Sequence, residues 1–166
     1  MVLDPGAVYA DGVLPAVIFY DGVCGLCDRT VRFVLRHDAV GRFRFATLQS
    51  DYAATALARH GREAAELDSV CLLLDPDAAT ERLLAKSDAV LAILDGLGGL
   101  WRLVALTHRL PRAWRDAAYD ALARRRYRWF GRFDRCPIPS PELRARLAAA
   151  AIADEAHRAR LSASEG

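Results

Sequence analysis

Residues 17–27 read Val17-Ile18-Phe19-Tyr20-Asp21-Gly22-Val23-Cys24-Gly25-Leu26-Cys27. The first four residues form an apolar run that is typical of a central β-strand, and helical periodicity begins at Cys27. A Cys-x-x-Cys motif at a strand-to-helix junction is the working arrangement of dithiol redox proteins. Because this spacing lets the two sulfur atoms form a disulfide, the motif predicts thiol–disulfide exchange.

The helix that follows suggests a different role for each cysteine. Apolar residues recur with the spacing of a core-facing stripe, at Cys27, Val31, Val34 and Leu35. We therefore expect Cys27 to be sheltered and Cys24 to be the exposed sulfur at the start of the helix. Free N–H groups and the helix dipole favour a thiolate there, so we expect the pKa of Cys24 to be lowered. Cys24 is the predicted nucleophile and Cys27 the predicted resolving thiol.

Asp21 is the third candidate catalytic residue. It ends the predicted strand, three residues before Cys24, where its carboxylate could accept or relay the proton of Cys27. Asp21-Gly22 is also a common turn dipeptide, so Asp21 has a second interpretation as a turn residue. The two roles are compatible with each other.

Other uses of a close cysteine pair fit the sequence less well. A structural zinc site needs four ligands, but Cys71 and Cys136 are single and far apart and the four histidines form no cluster. Covalent haem attachment requires a histidine after the second cysteine, where this chain has Asp28. A purely structural disulfide would close a very short loop and gain little. We predict no metal ligands and no bound cofactor.

Length and composition indicate one domain in the cytoplasm. The chain has 166 residues, four cysteines and a net charge of +2, which suits a single domain and is too small a charge to predict a nucleic-acid partner. Its start lacks the basic and apolar regions of a secretory signal. Lys86 is the only lysine among 23 basic residues, which together with the abundant alanine suggests a GC-rich bacterial genome.

The predicted elements follow the order β-α-β-α-β-β-α, which is the thioredoxin-like order. Strands are expected at residues 16–20, 42–46, 70–74 and 80–85, and helices at 25–37, 51–60 and 88–94. Alternation of strands and helices favours an α/β sandwich. Ser50 or Asp51 is the candidate N-cap of the second helix, and Ser87 that of the third. We expect a loose leader over residues 1–15, a thioredoxin-like core over 16–96, and a helical extension over 97–166 packed on that core.

Several short stretches together resemble a known family. They are Phe19-Tyr20-Asp21-Gly22-Val23-Cys24-Gly25-Leu26-Cys27-Asp28-Arg29, then Phe43-Arg44-Phe45-Ala46 with Leu48-Gln49-Ser50, then Ser87-Asp88-Ala89, then Tyr119 with Arg126-Tyr127-Arg128. This pattern closely resembles the DCC family of predicted thiol-disulfide oxidoreductases, over about residues 17–139. The resemblance implies a thioredoxin-like fold with Cys24 and Cys27 as the redox pair. It implies little about the substrate.

One departure from ordinary thioredoxins concerns substrate docking. Those proteins place a cis-proline just before the third strand, beside the active site. Here that position falls at about Asp68-Ser69, without a proline. Docking of the thioredoxin type is therefore not expected. Asp68 and Ser69 are candidates either to line the site or simply to cap the strand.

The two remaining cysteines receive different predictions. Cys71 lies in the apolar run of residues 70–74, so we expect it to fill the core as a small hydrophobic residue. Cys136 precedes Pro137-Ile138-Pro139 and is expected in a loop. It is either a third redox thiol that resolves mixed disulfides or a packed loop anchor.

Residues 109–135 are rich in arginine and aromatic side chains. They contain nine arginines and three aspartates. Basic and aromatic residues can bind nucleic acid or an anionic membrane. However, Trp114, Ala118 and Leu122 are spaced by four, which favours an amphipathic helical pair whose aromatic residues pack on the sheet while its arginines meet solvent. We expect no nucleic-acid partner, and leave peripheral membrane contact open. The apolar stretch at residues 90–106 is too short and interrupted for a transmembrane segment.

The sequence thus predicts an α/β domain that exchanges disulfides with protein or small-thiol partners. Cys24 attacks a disulfide, and Cys27 resolves the mixed disulfide that results. An external electron donor is required, rather than a bound cofactor. An alternative from another class is a non-enzymatic interaction module, in which the cysteine pair holds a metal or shapes the loop and the basic helices carry the function.

Overall fold

The computed structural model describes residues 16–63, 70–76 and 78–132. Its elements are β1 (Ala16–Tyr20), α1 (Gly25–His37), β2 (Phe43–Thr47), α2 (Asp51–Arg59), β3 (Cys71–Leu74), β4 (Arg82–Ala85), α3 (Lys86–Leu97), α4 (Trp101–Ala105) and α5 (Arg112–Phe130), with a 3-10 helix at Leu106–Arg109. The expected leader, Asp68, Ser69, Cys136 and the part of the extension after residue 132 lie outside the described residues.

The sheet places β1 at its centre. Within the described residues the strand order is β2-β1-β3-β4. β1 pairs in parallel with β2 and antiparallel with β3, and β3 pairs antiparallel with β4. All five residues of β1 are buried, as expected for an apolar strand whose two faces are covered. The predicted β-α-β-α-β-β-α order and the thioredoxin-like α/β fold class are confirmed.

Two hydrophobic cores lie on opposite faces of this sheet. Successive side chains of a strand point to opposite faces, so Ile18 and Phe19 join different cores. The first core contains apolar residues of α1 and α3, among them Val31. The second contains the apolar side of α2, including Leu57, together with Cys71. Cys71 is fully buried, which confirms its predicted place in the core.

The start of α3 differs from the sequence expectation. Ser50 caps α2 by accepting a hydrogen bond from the N–H of Ala53, but the predicted capping role of Ser87 is wrong. The helix already begins at Lys86, with Ala85 as its N-cap. The hydroxyl of Ser87 instead donates to the carboxylate of Asp116 on α5. A long-range partner has therefore replaced the local backbone as the partner of this serine.

The helix α5 packs on α1 and α3 with a different face inward from the one predicted. Trp114 is 72% exposed and Trp129 is 60% exposed, so the prediction that aromatic residues pack on the sheet while arginines meet solvent is wrong for these two residues. The reason is electrostatic. Arg115 binds Asp88 of α3 at 2.8 Å, and further polar contacts hold the charged side of α5 against the domain.

The apolar stretch after β4 is divided into short helices. α3 ends at Leu97, and Gly98 and Gly99 both adopt the left-handed region, with φ of 71° and 56°. Glycine adopts this conformation at little cost, so the chain turns before α4. The ring of Trp101 then packs edge-on against Phe33 of α1. Across the three described ranges, no helix has the length and apolarity needed to cross a bilayer.

Candidate active site

The Cys-x-x-Cys motif lies at the carboxyl end of β1. The strand ends at Tyr20, and Cys24 is the N-cap residue of α1. The motif therefore lies beyond the carboxyl ends of the parallel strands β1 and β2, where α1 begins. Cys27 falls on the buried side of α1, as the apolar stripe predicted. Both thiols are free.

Both cysteines are buried. Cys27 is 6% exposed, as expected for the sheltered thiol, but Cys24 is only 1% exposed, so the expectation that Cys24 is the exposed sulfur is wrong. Residues 130–132, here called the covering segment, lie over it. Arg132 forms an antiparallel bridge with Cys24, and the N–H of Gly25 donates to the carbonyl of Gly131 at 3.3 Å. No local sequence pattern predicts this contact.

The covering segment accounts for the glycine inside the motif. A Cβ atom at position 25 would lie 2.1 Å from the carbonyl oxygen of Phe130. That oxygen belongs to the backbone, so it cannot rotate aside as the end of a side chain could. Gly25 is therefore the residue that lets α5 end directly against the dithiol.

The two thiols differ strongly in acidity. The hydrogen bond with Cys27 is the largest cause that lowers the pKa of Cys24 to about 6, against the opposing effect of burial. The N–H groups of Cys27 and Leu26 and the charge of Arg126 add to this lowering. The interaction with Cys24 and burial raise the pKa of Cys27. The pKa of Cys24 is thus lowered, in the expected direction, although the neighbouring thiol contributes more to the lowering than the helix start.

Asp21 is buried beside the motif and accepts three hydrogen bonds. Its Oδ1 accepts from the N–H of Val23 and from Nε2 of Gln49, both at 3.2 Å, and its Oδ2 accepts from the hydroxyl of Tyr127 at 2.6 Å. The bond from Val23 is the local turn contact typical of aspartate. Burial would raise the pKa of Asp21, but these bonds and the charge of Arg126 outweigh it and lower that pKa. Asp21 is charged at neutral pH.

Arg126 and Tyr127 of α5 complete the site, and residue-level sequence reasoning did not identify them as site residues. Nη2 of Arg126 donates to the hydroxyl oxygen of Tyr127 at 2.9 Å and lies 3.7 Å from Oδ2 of Asp21. Both residues belong to one of the stretches that carry the family resemblance. Arg126 is nevertheless the last of three consecutive arginines, of which Arg124 and Arg125 are exposed, so the local pattern does not single it out.

The other cysteines and the start of β3 contribute differently. Cys71 lies in the core that faces away from the motif, and Cys136 is outside the described residues. The hydroxyl of Tyr119 accepts a hydrogen bond of 3.0 Å from the N–H of Val70, and this bond connects α5 to the start of β3. Burial raises the pKa of Tyr119 to about 12. Among the described residues, no three His, Cys, Asp or Glu side chains are grouped so that they could hold a metal ion.

The sequence is similar to a known protein family and to individual proteins of two organisms. A family model described as DCC1-like thiol-disulfide oxidoreductase matches residues 18–132. The uncharacterized protein YuxK of Bacillus subtilis (strain 168) is 35% identical over 131 residues, which cover 79% of this chain and 92% of that protein. The chloroplastic DCC family protein At1g52590 of Arabidopsis thaliana is 35% identical over 123 residues, which cover 74% and 69%. No solved structure matches the chain significantly.

Proposed function

We propose that this chain, which belongs to the DCC1-like thiol-disulfide oxidoreductase family, exchanges disulfides with protein or small-thiol partners through Cys24 and Cys27. The observation that carries the proposal is the opposite acidity of these two neighbouring thiols. With a pKa of about 6, Cys24 is mostly a thiolate at neutral pH, and the thiolate is the nucleophile of disulfide exchange. Cys27 keeps its proton, as a resolving thiol should before the first step.

In the reducing direction, the Cys24 thiolate attacks one sulfur of the substrate disulfide. The substrate S–S bond breaks, a mixed disulfide forms on Cys24, and the second substrate sulfur leaves and takes a proton from solvent. Cys27 then loses its proton and attacks the sulfur of Cys24, which releases the other substrate thiolate. Two electrons reach the substrate, and an external thiol donor returns them to the oxidised pair. The reverse sequence forms a disulfide in the substrate.

Cys27 becomes reactive only after the first step. Its interaction with Cys24 is the largest cause of its raised pKa. Formation of the mixed disulfide removes the charge on Cys24, so the Cys27 thiol becomes easier to deprotonate. We assign Asp21 the role of accepting this proton transiently and relaying it to solvent, because its carboxylate lies beside the motif and its lowered pKa keeps it charged at neutral pH. The hydroxyl of Tyr127 on α5 donates a hydrogen bond to that carboxylate.

Exchange also requires access to Cys24. The covering segment is held there by the bridge between Cys24 and Arg132 and by the 3.3 Å hydrogen bond from Gly25. Each hydrogen bond of such a contact contributes only about 0.5–1.5 kcal/mol, so opening it has a modest cost. We therefore include in the proposal a movement of residues 130–132 away from Cys24 when a substrate disulfide binds.

The proposal extends to the domain arrangement and location. Because α5 supplies Arg126 and Tyr127 to the site, we treat residues 16–96 and the helical extension as one functional unit. A reducing compartment such as the cytoplasm would maintain the dithiol, and we propose that location for this chain. The printed name of the Arabidopsis relative assigns that protein to the chloroplast.

The test is a stoichiometric reaction of the reduced full-length protein with a small aromatic disulfide whose released thiol absorbs light. In a Cys136→Ser background, which removes the cysteine expected in a loop, we expect two equivalents of aromatic thiol per protein, with a disulfide between Cys24 and Cys27 in the product. Cys24→Ser should abolish the fast reaction, and Cys71→Ser should leave it unchanged. If Cys24→Ser reacts as fast as the unmodified protein, the proposed function is wrong.

A further inference from the structure

The helix α5 delivers a buried cation to the dithiol. Arg126 is 5% exposed and is the only basic side chain among the buried ones in the described part of the chain. Its neighbours Arg124 and Arg125 are exposed, so the helix turns this one guanidinium inward. A buried cation is costly unless negative charges lie near it and its hydrogen bonds are satisfied. The anions of the site are therefore the groups that compensate Arg126.

Asp21 is one of these anions. Its Oδ2 lies 3.7 Å from Nη2 of Arg126, which is near enough for attraction but longer than a direct hydrogen bond. The hydroxyl of Tyr127 lies between the two groups, because it accepts from Arg126 at 2.9 Å and donates to Asp21 at 2.6 Å. The guanidinium also lies over the Tyr127 ring, 4.5 Å from its centroid. Tyr127 therefore fixes the position of the cation beside the motif.

The second anion is the Cys24 thiolate. Cys24 is almost inaccessible to water, so the usual solvation of a thiolate is missing there. The N–H of Cys24 donates to the backbone carbonyl of Asp21 at 3.3 Å, so the residue beside Arg126 also contacts Cys24. The positive charge of Arg126 adds to the hydrogen bond with Cys27 in lowering the pKa of Cys24. Against the effect of burial, the hydrogen bond with Tyr127 raises the pKa of Arg126, and the charge of Cys24 adds to this. A cation held by Asp21 and Tyr127 beside Cys24 can thus stabilise the thiolate.

We propose that Arg126 is a positioning residue which, oriented by Tyr127, stabilises the reduced thiolate form of the Cys24–Cys27 pair. The proposal deepens the proposed function and rests on it for its redox consequence. Oxidation converts the thiolate into a neutral disulfide, so the interaction with Arg126 is lost in the oxidised protein. A stronger interaction in the reduced form makes the disulfide more oxidising. The helical extension, and not the α/β core alone, then sets whether the cysteine pair tends to oxidise or to reduce its partners.

The experiment compares three variants of the full-length protein. Arg126→Gln removes the charge, Arg126→Lys keeps it, and Arg125→Gln is a matched control at the exposed neighbour. The pH dependence of Cys24 alkylation, followed by peptide mass spectrometry, measures the acidity of this thiol alone. Removing one nearby charge should raise the midpoint by about one unit or more, Arg126→Lys should largely restore it, and Arg125→Gln should leave it unchanged. Equal midpoints for Arg126→Gln and Arg125→Gln would overturn the proposal.

The redox consequence is measured by equilibration with glutathione. If the pKa of Cys24 rises from about 6 to about 7, the reduced form at neutral pH loses stabilisation by a factor of about five. Arg126→Gln should therefore shift the equilibrium toward the disulfide by about that factor, whereas Arg125→Gln should match the unmodified protein. An unchanged equilibrium constant in a folded Arg126→Gln protein would contradict the proposal.

The unmodified protein provides a measurement that does not depend on the folding of any variant. In the reduced protein labelled with nitrogen-15, the Nε resonance of Arg126 should titrate with the Cys24 thiol, at about pH 6. A resonance that stays constant between about pH 5 and about pH 8 would overturn the proposal. Neither this titration nor the alkylation midpoint requires a substrate, so failure of the exchange reaction itself is recognised separately, by equal reactivity of Cys24→Ser and the unmodified protein.

Discussion

The hydroxyl of Tyr127 donates a 2.6 Å hydrogen bond to Oδ2 of Asp21. This bond joins the last turns of α5 to the end of β1, next to the cysteine pair. It makes a helix outside the α/β core part of the candidate active site. The charge state of Asp21, the burial of Cys24 and the position of Arg126 all depend on this placement of α5.

Tyr127→Phe should destabilise the protein in a pH-dependent manner. A hydrogen bond to a charged group contributes about 1.5–3 kcal/mol when buried, and the partial exposure of Tyr127 reduces this to about 1 kcal/mol. The pKa of Asp21 is lowered in the folded state from the ordinary 3.8, so its contribution is complete above that value and is lost as the pH falls through the folded value. Urea unfolding at neutral pH and at acid pH measures the difference.

The control for this prediction is Tyr127→Phe combined with Asp21→Asn. Without the carboxylate, the tyrosine hydroxyl loses its charged acceptor, and the effect of Tyr127→Phe at neutral pH should become small. The difference between Tyr127→Phe and the unmodified protein should likewise shrink in acid. An equal loss of stability at both pH values would contradict the assigned role of this bond.

Gly25→Ala should displace the covering segment. The new Cβ would meet the carbonyl oxygen of Phe130 at 2.1 Å, so residues 130–132 must move, at a cost of about 1–3 kcal/mol. Cys24 should then react faster with an alkylating reagent at a pH where it is fully ionised. Gly41→Ala is the control, because Gly41 has φ of 70° and a Cβ added there would meet no atom within 4 Å. It should lower stability without accelerating the alkylation of Cys24.

The two cysteines should differ in their ability to trap partners. Cys27→Ser leaves the nucleophile but removes the resolving thiol, so mixed disulfides on Cys24 should accumulate. Cys24→Ser should not form them at this site. Non-reducing gel electrophoresis and mass spectrometry after reaction with a protein disulfide distinguish the two variants. Equal trapping by both, or by neither, would refute the division of roles.

Serine and alanine at position 27 should have different effects on Cys24. The hydrogen bond with Cys27 is the largest cause of the lowered pKa of Cys24, and a serine hydroxyl can still donate whereas alanine cannot. The alkylation midpoint of Cys24 should therefore be higher in Cys27→Ala than in Cys27→Ser. The exchange rate of the unmodified protein should rise with pH, reach half its maximum at about pH 6 and level above that pH, because only the thiolate attacks. Identical midpoints in the two variants would show that the neighbouring donor does not activate Cys24.

The elements near the motif could be predicted because their signals are local. The apolar run Ala16–Tyr20, the stripe on α1 and the cap at Ser50 each depend on residues a few positions apart. The same holds for the burial of Cys71 within an apolar strand. The Cys-x-x-Cys spacing and its place at a strand-to-helix junction also predicted a thiol–disulfide oxidoreductase, which agrees with the family to which the chain belongs. Hydrophobic periodicity and backbone capping were sufficient for these features.

The helix α5 shows where local reasoning failed. The spacing of Trp114, Ala118 and Leu122 predicted an inward apolar face. However, the spacing of apolar residues does not reveal which other elements a helix packs against. Acidic side chains on α3 and the carboxylate of Asp21 instead favour an inward polar side with Arg115 and Arg126. Electrostatic partners that are distant in sequence therefore outweighed the local apolar stripe.

The sequence by itself determined the α/β order, the dithiol motif and the sheltered position of Cys27, because each follows from short-range periodicity. Only the tertiary structure decided that Cys24 is covered, that Gly25 must lack a side chain, and that Arg126 is the inward member of an arginine run. These features require the end of α5 to lie against the start of α1. That contact joins segments about a hundred residues apart, and its geometry follows from how the helices pack rather than from any pattern within either segment.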